Sequence, residues 1–290
     1  MTIQPLPARE WAERAVAALL FIAVGTLIIV VFSPLRPLLN RVNDYVGRIV
    51  LVALLLAAVL LLRRRRSQRY SKYAPLVVGL LIMAGAVSLD WIIGIYLLES
   101  VGVANNTAAG FALVKLNECA VIVGVILVLT RLSGGSLGSI YLQKGNLKLG
   151  LIIGLVAFVI AALGSLPMAS LLFKAQNLTL ARVIPWLPWV LIFVLANATQ
   201  EELLVRGLFL RKLEPFYGRL LSNFLIAFVF TGLHRGVTYP SDQYLFVVFL
   251  VLLALAWGYI MQKTDALWSS VLFHAGTDIP VILGIFANLP

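Results

Sequence analysis

The chain is divided into apolar runs, several of about 20 residues, each long enough as a helix to cross a hydrocarbon core of about 30 Å. Nine segments stand out, at residues 15–32, 49–62, 74–98, 110–130, 149–173, 187–210, 220–234, 244–262 and 266–286. Backbone N–H and C=O groups in lipid have no water to bond, so runs of this kind must be helical, whereas a barrel would show short alternating segments. The second and seventh runs are short for a full crossing, which leaves eight or nine spans. Only 12% of the residues are charged and 61% are hydrophobic, about half the charge of an ordinary soluble domain. The expected fold class is an all-α polytopic integral membrane protein. It reads as a single transmembrane domain over residues 1–290, with no soluble domain and no long linker.

The formal net charge of +11 does not point to nucleic acid, because no segment is long enough to build a basic face on a folded soluble domain. Its densest cluster, Arg63, Arg64, Arg65, Arg66, Arg69 and Lys72, follows an apolar run directly, where basic residues mark the cytoplasmic side and meet anionic lipid. With the N-terminus inside, the inner loops carry 15 Lys and Arg and the outer loops 6. The expected orientation is therefore N-terminus cytoplasmic, in a plasma (inner) membrane. The stretch 15–32 is followed by "SPLRP" rather than a small-x-small site, so it reads as a first span and not as a cleaved signal. The single cysteine, Cys119, excludes a disulfide framework and a cysteine metal site, and reads as a small buried residue. Gly150 and Gly154 form a GxxxG pair that reads as helix packing.

Ionisable groups inside spans are costly and therefore mark functional candidates. Asp90, Lys115 and Glu118 form one group, read first as a buried ion pair or triad tying two helices and second as a proton or substrate site. The other group lies in the last third of the chain. It comprises "QEELLVRG" with Glu201, Glu202 and Arg206, "FTGLH" from Phe230 to His234, and "HAGTD" from His274 to Asp278. His234 and His274 are the only histidines. At about 100° per residue, Glu202 and Arg206 share a face and are expected to pair, which turns Glu201 away from Arg206 to meet something else. His274 and Asp278 also share a face, where the carboxylate can fix the ring tautomer. Measured from the nearest inner basic residues, Glu201 and His274 lie about 16 Å deep and His234 about 22 Å deep. Three helices can thus present one carboxylate and two imidazoles to a single pocket within the bilayer.

Such a pocket suits hydrolysis. A carboxylate paired with an imidazole can hold and deprotonate water, and a second imidazole can stabilise the oxyanion formed at a peptide carbonyl. Glu201, His234 and His274 equally make a candidate set for zinc or another divalent metal, two His and one Glu with an open fourth position, although HExxH is absent. The residues alone leave both routes open.

The ordered set EExxxR, FxxxH and Hxxx(N/D) on separate late helices resembles the CAAX prenyl protease and bacteriocin-processing family of intramembrane endopeptidases, also termed CPBP, type II CAAX or Abi. The likeness covers about 95 residues, from near Trp186 to Asp278. It implies a catalytic core at 186–286 preceded by helices over 1–175 that carry no recognised motif. It implies that Glu201 and His234 activate water, that His274 and Asp278 hold the oxyanion, and that Glu202, Arg206 and Phe230 support them. Substrates would be membrane-associated proteins or peptides, cleaved in CAAX-type processing or in bacteriocin or peptide maturation or immunity. The family is described both as metallo- and as glutamate-dependent. Asp278 stands where the eukaryotic prenyl proteases have Asn. An ionised carboxylate cannot donate to an oxyanion, so Asp278 is expected to orient His274. Two rival readings are a proton- or cation-coupled transporter, which predicts broken helices and internal repeats, and a non-catalytic scaffold or immunity protein.

Overall fold

The computed structural model describes residues 7–32, 38–64, 68–102, 104, 106–234, 237–238 and 240–289. Arg36, Arg65, Arg66 and Arg235, which enter the charge sorting, lie outside them. The helices are α1 (Ala8–Val31), α2 (Arg41–Arg64), α3 (Ala74–Val101), α4 (Ala108–Leu132), α5 (Leu147–Leu163), α6 (Ser165–Phe173), α7 (Leu187–Glu201), α8 (Leu208–Leu233), α9 (Gln243–Thr264) and α10 (Leu267–Ala287), and no strand occurs among the described residues. Seven helical runs are long and apolar enough to cross a membrane, and eight when α5 and α6, bent by 64° at Gly164, count as one broken span. Side-chain caps fix several starts: Thr107 accepts from the Gly110 N–H, Asn146 from Leu149, and Asp242 from Tyr244 and Leu245.

One of those runs, Leu180–Leu233, has 54 residues, or about 80 Å of straight helix against a core of about 30 Å. It cannot be straight. The Arg206 guanidinium lies 4.6 Å from the centre of the Phe230 ring, two groups that an unbroken helix would hold about 36 Å apart. The chain turns back at Gly218, whose φ of 70° and ψ of 178° are open to glycine alone without strain, three residues after Pro215. This reversal separates the two segments that the sequence pattern divides between 210 and 220. The returning limb, about 22 Å long to Leu233, is the shorter of the two.

At the centre stands α10, the most enclosed span, packed on α5, α6, α7 and α9. Glycines set how close α5 comes to it. A Cβ on Gly154 would lie 2.9 Å from the Leu272 Cβ, and one on Gly276 only 2.6 Å from the Phe158 Cα. The pair Gly150 and Gly154 thus serves packing, as its spacing suggests. Outside this core, α2 packs on α3, α3 on α4, and α4 on α7.

The loop contacts sort into two ends. At one, Arg63 donates to the Ser133 carbonyl, Arg211 pairs with Asp265 and reaches the Gly138 carbonyl, and Arg219 donates to the Gln262 carbonyl. Tyr141 is buried there against Arg211, and burial pushes its hydroxyl up to about 12, so it stays protonated and donates to Glu214 at 3.4 Å. At the other end, Arg182 donates to the carbonyls of Gln176 and Ala287, and Ser241 to those of Leu171 and Leu172. Most described basic loop residues gather at the first end.

Candidate active site

Glu201 closes α7, and the six residues after it, Glu202–Gly207, form a π-helical turn, all of them buried. Wider turns of this kind lodge an extra residue in a helix and recur at functional sites. Here the turn lets adjacent glutamates address the same partner from two sides. Glu202 is fully buried, and its Oε1 accepts from Arg206 Nη1 at 2.6 Å and from His274 Nδ1 at 2.8 Å, while the Ser270 hydroxyl donates to Oε2. Glu201 Oε2 lies 3.6 Å from His274 Nε2, beyond hydrogen-bond range, and has no hydrogen-bond partner.

The remaining charge of the turn is held by its surroundings. Arg206 is completely enclosed, facing the Ala254 carbonyl at 3.3 and 3.4 Å and lying over the rings of Phe230 and Trp257, at 4.6 and 5.1 Å. A guanidinium at this depth requires both the carboxylate and the π faces, because a buried ion lacking partners costs several kcal/mol.

The His274 ring is fixed in every direction. Trp257 stacks on it at 3.8 Å with planes 9° apart, and the edge of Phe230 stands 6.1 Å away. Its Nδ1 is committed to Glu202, and its Nε2 faces Glu201 and Asp278 Oδ1, the latter at 3.5 Å. Asp278 is held in turn, since Asn197 Nδ2 donates to its Oδ2 at 2.9 Å. His234 caps α8. Its Nδ1 lies 3.1 Å from the Phe230 carbonyl, so Nδ1–H donates there and Nε2 is left with a lone pair.

Glu201, His234, His274 and Asp278 line one chamber of about 550 Å³, together with Lys115 and Glu118 of α4. Its other walls are mainly apolar, from Phe111, Phe173, Phe246 and Ile285, near the helix ends opposite the basic end, down to Leu253 and Trp257. Glu201 and His274 sit at its inner, polar limit, and His234 lies towards its outer end, at the end of α8.

Three points differ from the sequence-based expectation. Glu201 meets His274 rather than His234, because the π turn swings its carboxylate towards α10. Glu202, expected to pair with Arg206 and to support the catalytic groups, takes the His274 Nδ1 as well, whereas Asp278 sits at the far nitrogen. Among the described residues no three His, Cys, Asp or Glu side chains converge as metal ligands, so the set Glu201, His234 and His274 is not assembled for zinc as placed.

The pair Lys115–Glu118, at 2.5 Å, belongs to the chamber wall, while Asp90 joins no ion pair among the described residues. Asn197, Trp257 and Ser270 are site residues that the sequence pattern did not single out. Asn197 was detectable as a polar residue one turn before Glu201, and Ser270 as one turn before His274. Trp257 sits in a span apolar all round and gave no signal.

Residues 182–280 match the family model described as "Rce1-like: Type II CAAX prenyl endopeptidase Rce1-like". No curated protein and no solved structure matches the chain.

Proposed function

We propose that this chain, whose residues 182–280 form a domain of the type II CAAX prenyl endopeptidase Rce1-like family, is an intramembrane endopeptidase in which Glu201 activates the attacking water. The observation that carries the reading is the unpartnered Glu201 Oε2 facing His274 Nε2 across 3.6 Å at the inner end of a chamber walled mainly by apolar side chains. A water between the chamber and this pair gives its proton to Glu201 as its oxygen bonds to the peptide carbonyl carbon. The charge that develops on the carbonyl oxygen is met by the Nε2–H of His274, whose ring is held by Glu202 and Asp278, while His234, held by the Phe230 carbonyl, offers its Nε2 lone pair as an acceptor to the attacking water. The tetrahedral carbon then expels the amine, the C–N bond breaks, and the proton on Glu201 passes to the leaving nitrogen.

The catalytic core is 186–286 of the single membrane domain 1–290. The concentration of basic residues at one end argues for that end, with the N-terminus, in the cytoplasm of a plasma (inner) membrane. The chamber then extends from the carboxylate towards the opposite leaflet. This geometry favours a membrane-associated protein or peptide presented from that side, in maturation or immunity, over a prenylated cytosolic tail. Lys115 and Glu118 would line the substrate path.

Purified protein in lipid vesicles, incubated with a fluorogenic peptide library, tests the reading. Wild type is expected to cleave, Glu201→Ala to lose cleavage while keeping the wild-type melting profile, and His274→Ala to lose cleavage with a lower melting midpoint, because buried Glu202 loses a donor and Trp257 its stacking partner. Cleavage that survives both substitutions refutes the assignment. Loss on chelation with recovery on adding zinc would instead establish a metal that the present side-chain placement does not accommodate.

A further inference from the structure

A hydrolase buried in lipid needs water at its carboxylate, and the chamber leading there is walled mainly by apolar side chains. A second set of polar groups reaches Glu201 along α3, α4 and α7, and of these Asp90, Asn117 and Gln200 lie behind the chamber wall that Glu118 helps to form. Buried polar atoms without protein partners are the places where ordered water belongs, most of all at hydrocarbon depth. Four such atoms lie along the contacts of α3, α4 and α7: Asp90 Oδ1, Asn117 Nδ2, Gln200 Oε1 and Glu201 Oε2. Two of them converge beside Gly94, where a Cβ would stand 3.2 Å from Asp90 Oδ1 and 3.4 Å from Asn117 Nδ2. An acceptor and a donor thus face one small space that the glycine keeps open. Next along α4, Glu118 accepts from Gln200 Nε2 at 3.3 Å, and Gln200, 6% exposed, is the chain neighbour of Glu201.

The set extends outward as well. Trp91 Nε1 is also unpartnered, and its ring lies 5.1 Å from the Arg48 guanidinium. Arg48 donates to Asp44 and to the Phe32 and Val87 carbonyls near the start of α2. Counted from the helix ends opposite the basic end, Arg48, Asn117, Asp90 and Gln200 lie about 10, 14, 16 and 20 Å deep. The polar groups therefore descend stepwise from one membrane boundary to the carboxylate.

We infer that Asp90, Asn117 and Gln200 bind a file of ordered water that enters between α2, α3 and α4 and supplies Glu201, separately from the chamber that takes the substrate. Its functional consequence rests on the hydrolase reading. The water itself does not, and the test reads the two independently.

With Cys119→Ala as the background, Asn117→Cys, Gln200→Cys and Leu116→Cys would be treated in vesicles with a membrane-impermeant charged thiosulfonate, which reacts with thiolates and so reports water. Leu116, 45% exposed on the outer face of α4, is the lipid-facing control. Full labelling of Asn117→Cys and Gln200→Cys with none of Leu116→Cys is expected. Asp90→Leu should abolish labelling of Asn117→Cys, and Asp90→Asn should preserve it. In the cysteine-containing wild-type background, Asp90→Leu should lower kcat with KM unchanged, and Asp90→Asn should restore it. Absence of labelling at Asn117→Cys in folded protein, or labelling that persists with Asp90→Leu, overturns the file. Cysteine variants that label as expected, beside a wild type that cleaves no peptide, keep the water and sink the hydrolase.

Discussion

Glu202 serves two roles, and a double substitution separates them. It balances the Arg206 charge and it orients His274. In Glu202→Gln the amide oxygen can replace Oε1 towards Arg206 and His274, and the amide nitrogen can face the Ser270 hydroxyl, so shape and bonding survive while the charge is lost. Arg206 is then a fully enclosed cation with only neutral partners, the amide oxygen, the Ala254 carbonyl and two rings. Removing one partner of a buried pair costs about 3–5 kcal/mol, and the remaining contacts favour the lower end of that range. Arg206→Met alone leaves Glu202 with its His274 and Ser270 donors and should cost less. Glu202→Gln with Arg206→Met removes both ions and fills the space, an exchange that is often near neutral. The coupling in the double-mutant cycle should therefore be at least about 2 kcal/mol. Activity should not follow stability. The double variant still lacks the ionised acceptor at His274 Nδ1, and losing the acid that sets a catalytic histidine's tautomer costs up to about 10⁴ in rate, so a fall of at least about 100-fold is expected. Unfolding of the four proteins in lipid, with peptide cleavage on the same preparations, measures both quantities. A Glu202→Gln cost below about 1 kcal/mol would refute the buried pair, and a double variant with wild-type cleavage would refute the orienting role.

Asn197→Leu removes the donor to Asp278 at similar volume, and a lost hydrogen bond to a charged group, worth about 1.5–3 kcal/mol, should lower kcat/KM roughly 10- to 100-fold with a small change in melting. Gly276→Val drives a side chain into the Phe158 backbone and should cost about 1–3 kcal/mol or more, read as a lower thermal midpoint at unchanged expression.

Much of the membrane core is legible in the sequence because lipid allows so little. A run of 20 apolar residues in a bilayer has one backbone solution, and a carboxylate inside such a run must find partners. Those two constraints bring Glu201, Glu202, Arg206, His274 and Asp278 into view before any coordinates, and depth counted from basic residues sets Glu201 and His274 level with each other. The division of labour between the two glutamates is not legible. It depends on a π turn, while counting at 100° per residue assumes a regular helix throughout. The fold-back at Gly218 is announced by Pro215 and the glycine, but its consequence, Phe230 stacked under Arg206, is a tertiary contact. Trp257 is hidden for another reason. In a span that is apolar all round, no periodicity distinguishes the residue that faces an imidazole from those that face lipid.

The central claim is that a water activated by Glu201 attacks the peptide directly. A single turnover in heavy-oxygen water, with enzyme in excess over a cleaved peptide and mass analysis of both, tests it most closely. The account predicts one heavy oxygen in the new carboxyl group of the first product and none in Glu201. An unlabelled first product with the label appearing in Glu201 would mean that the carboxylate itself forms a bond to the substrate, and would contradict it.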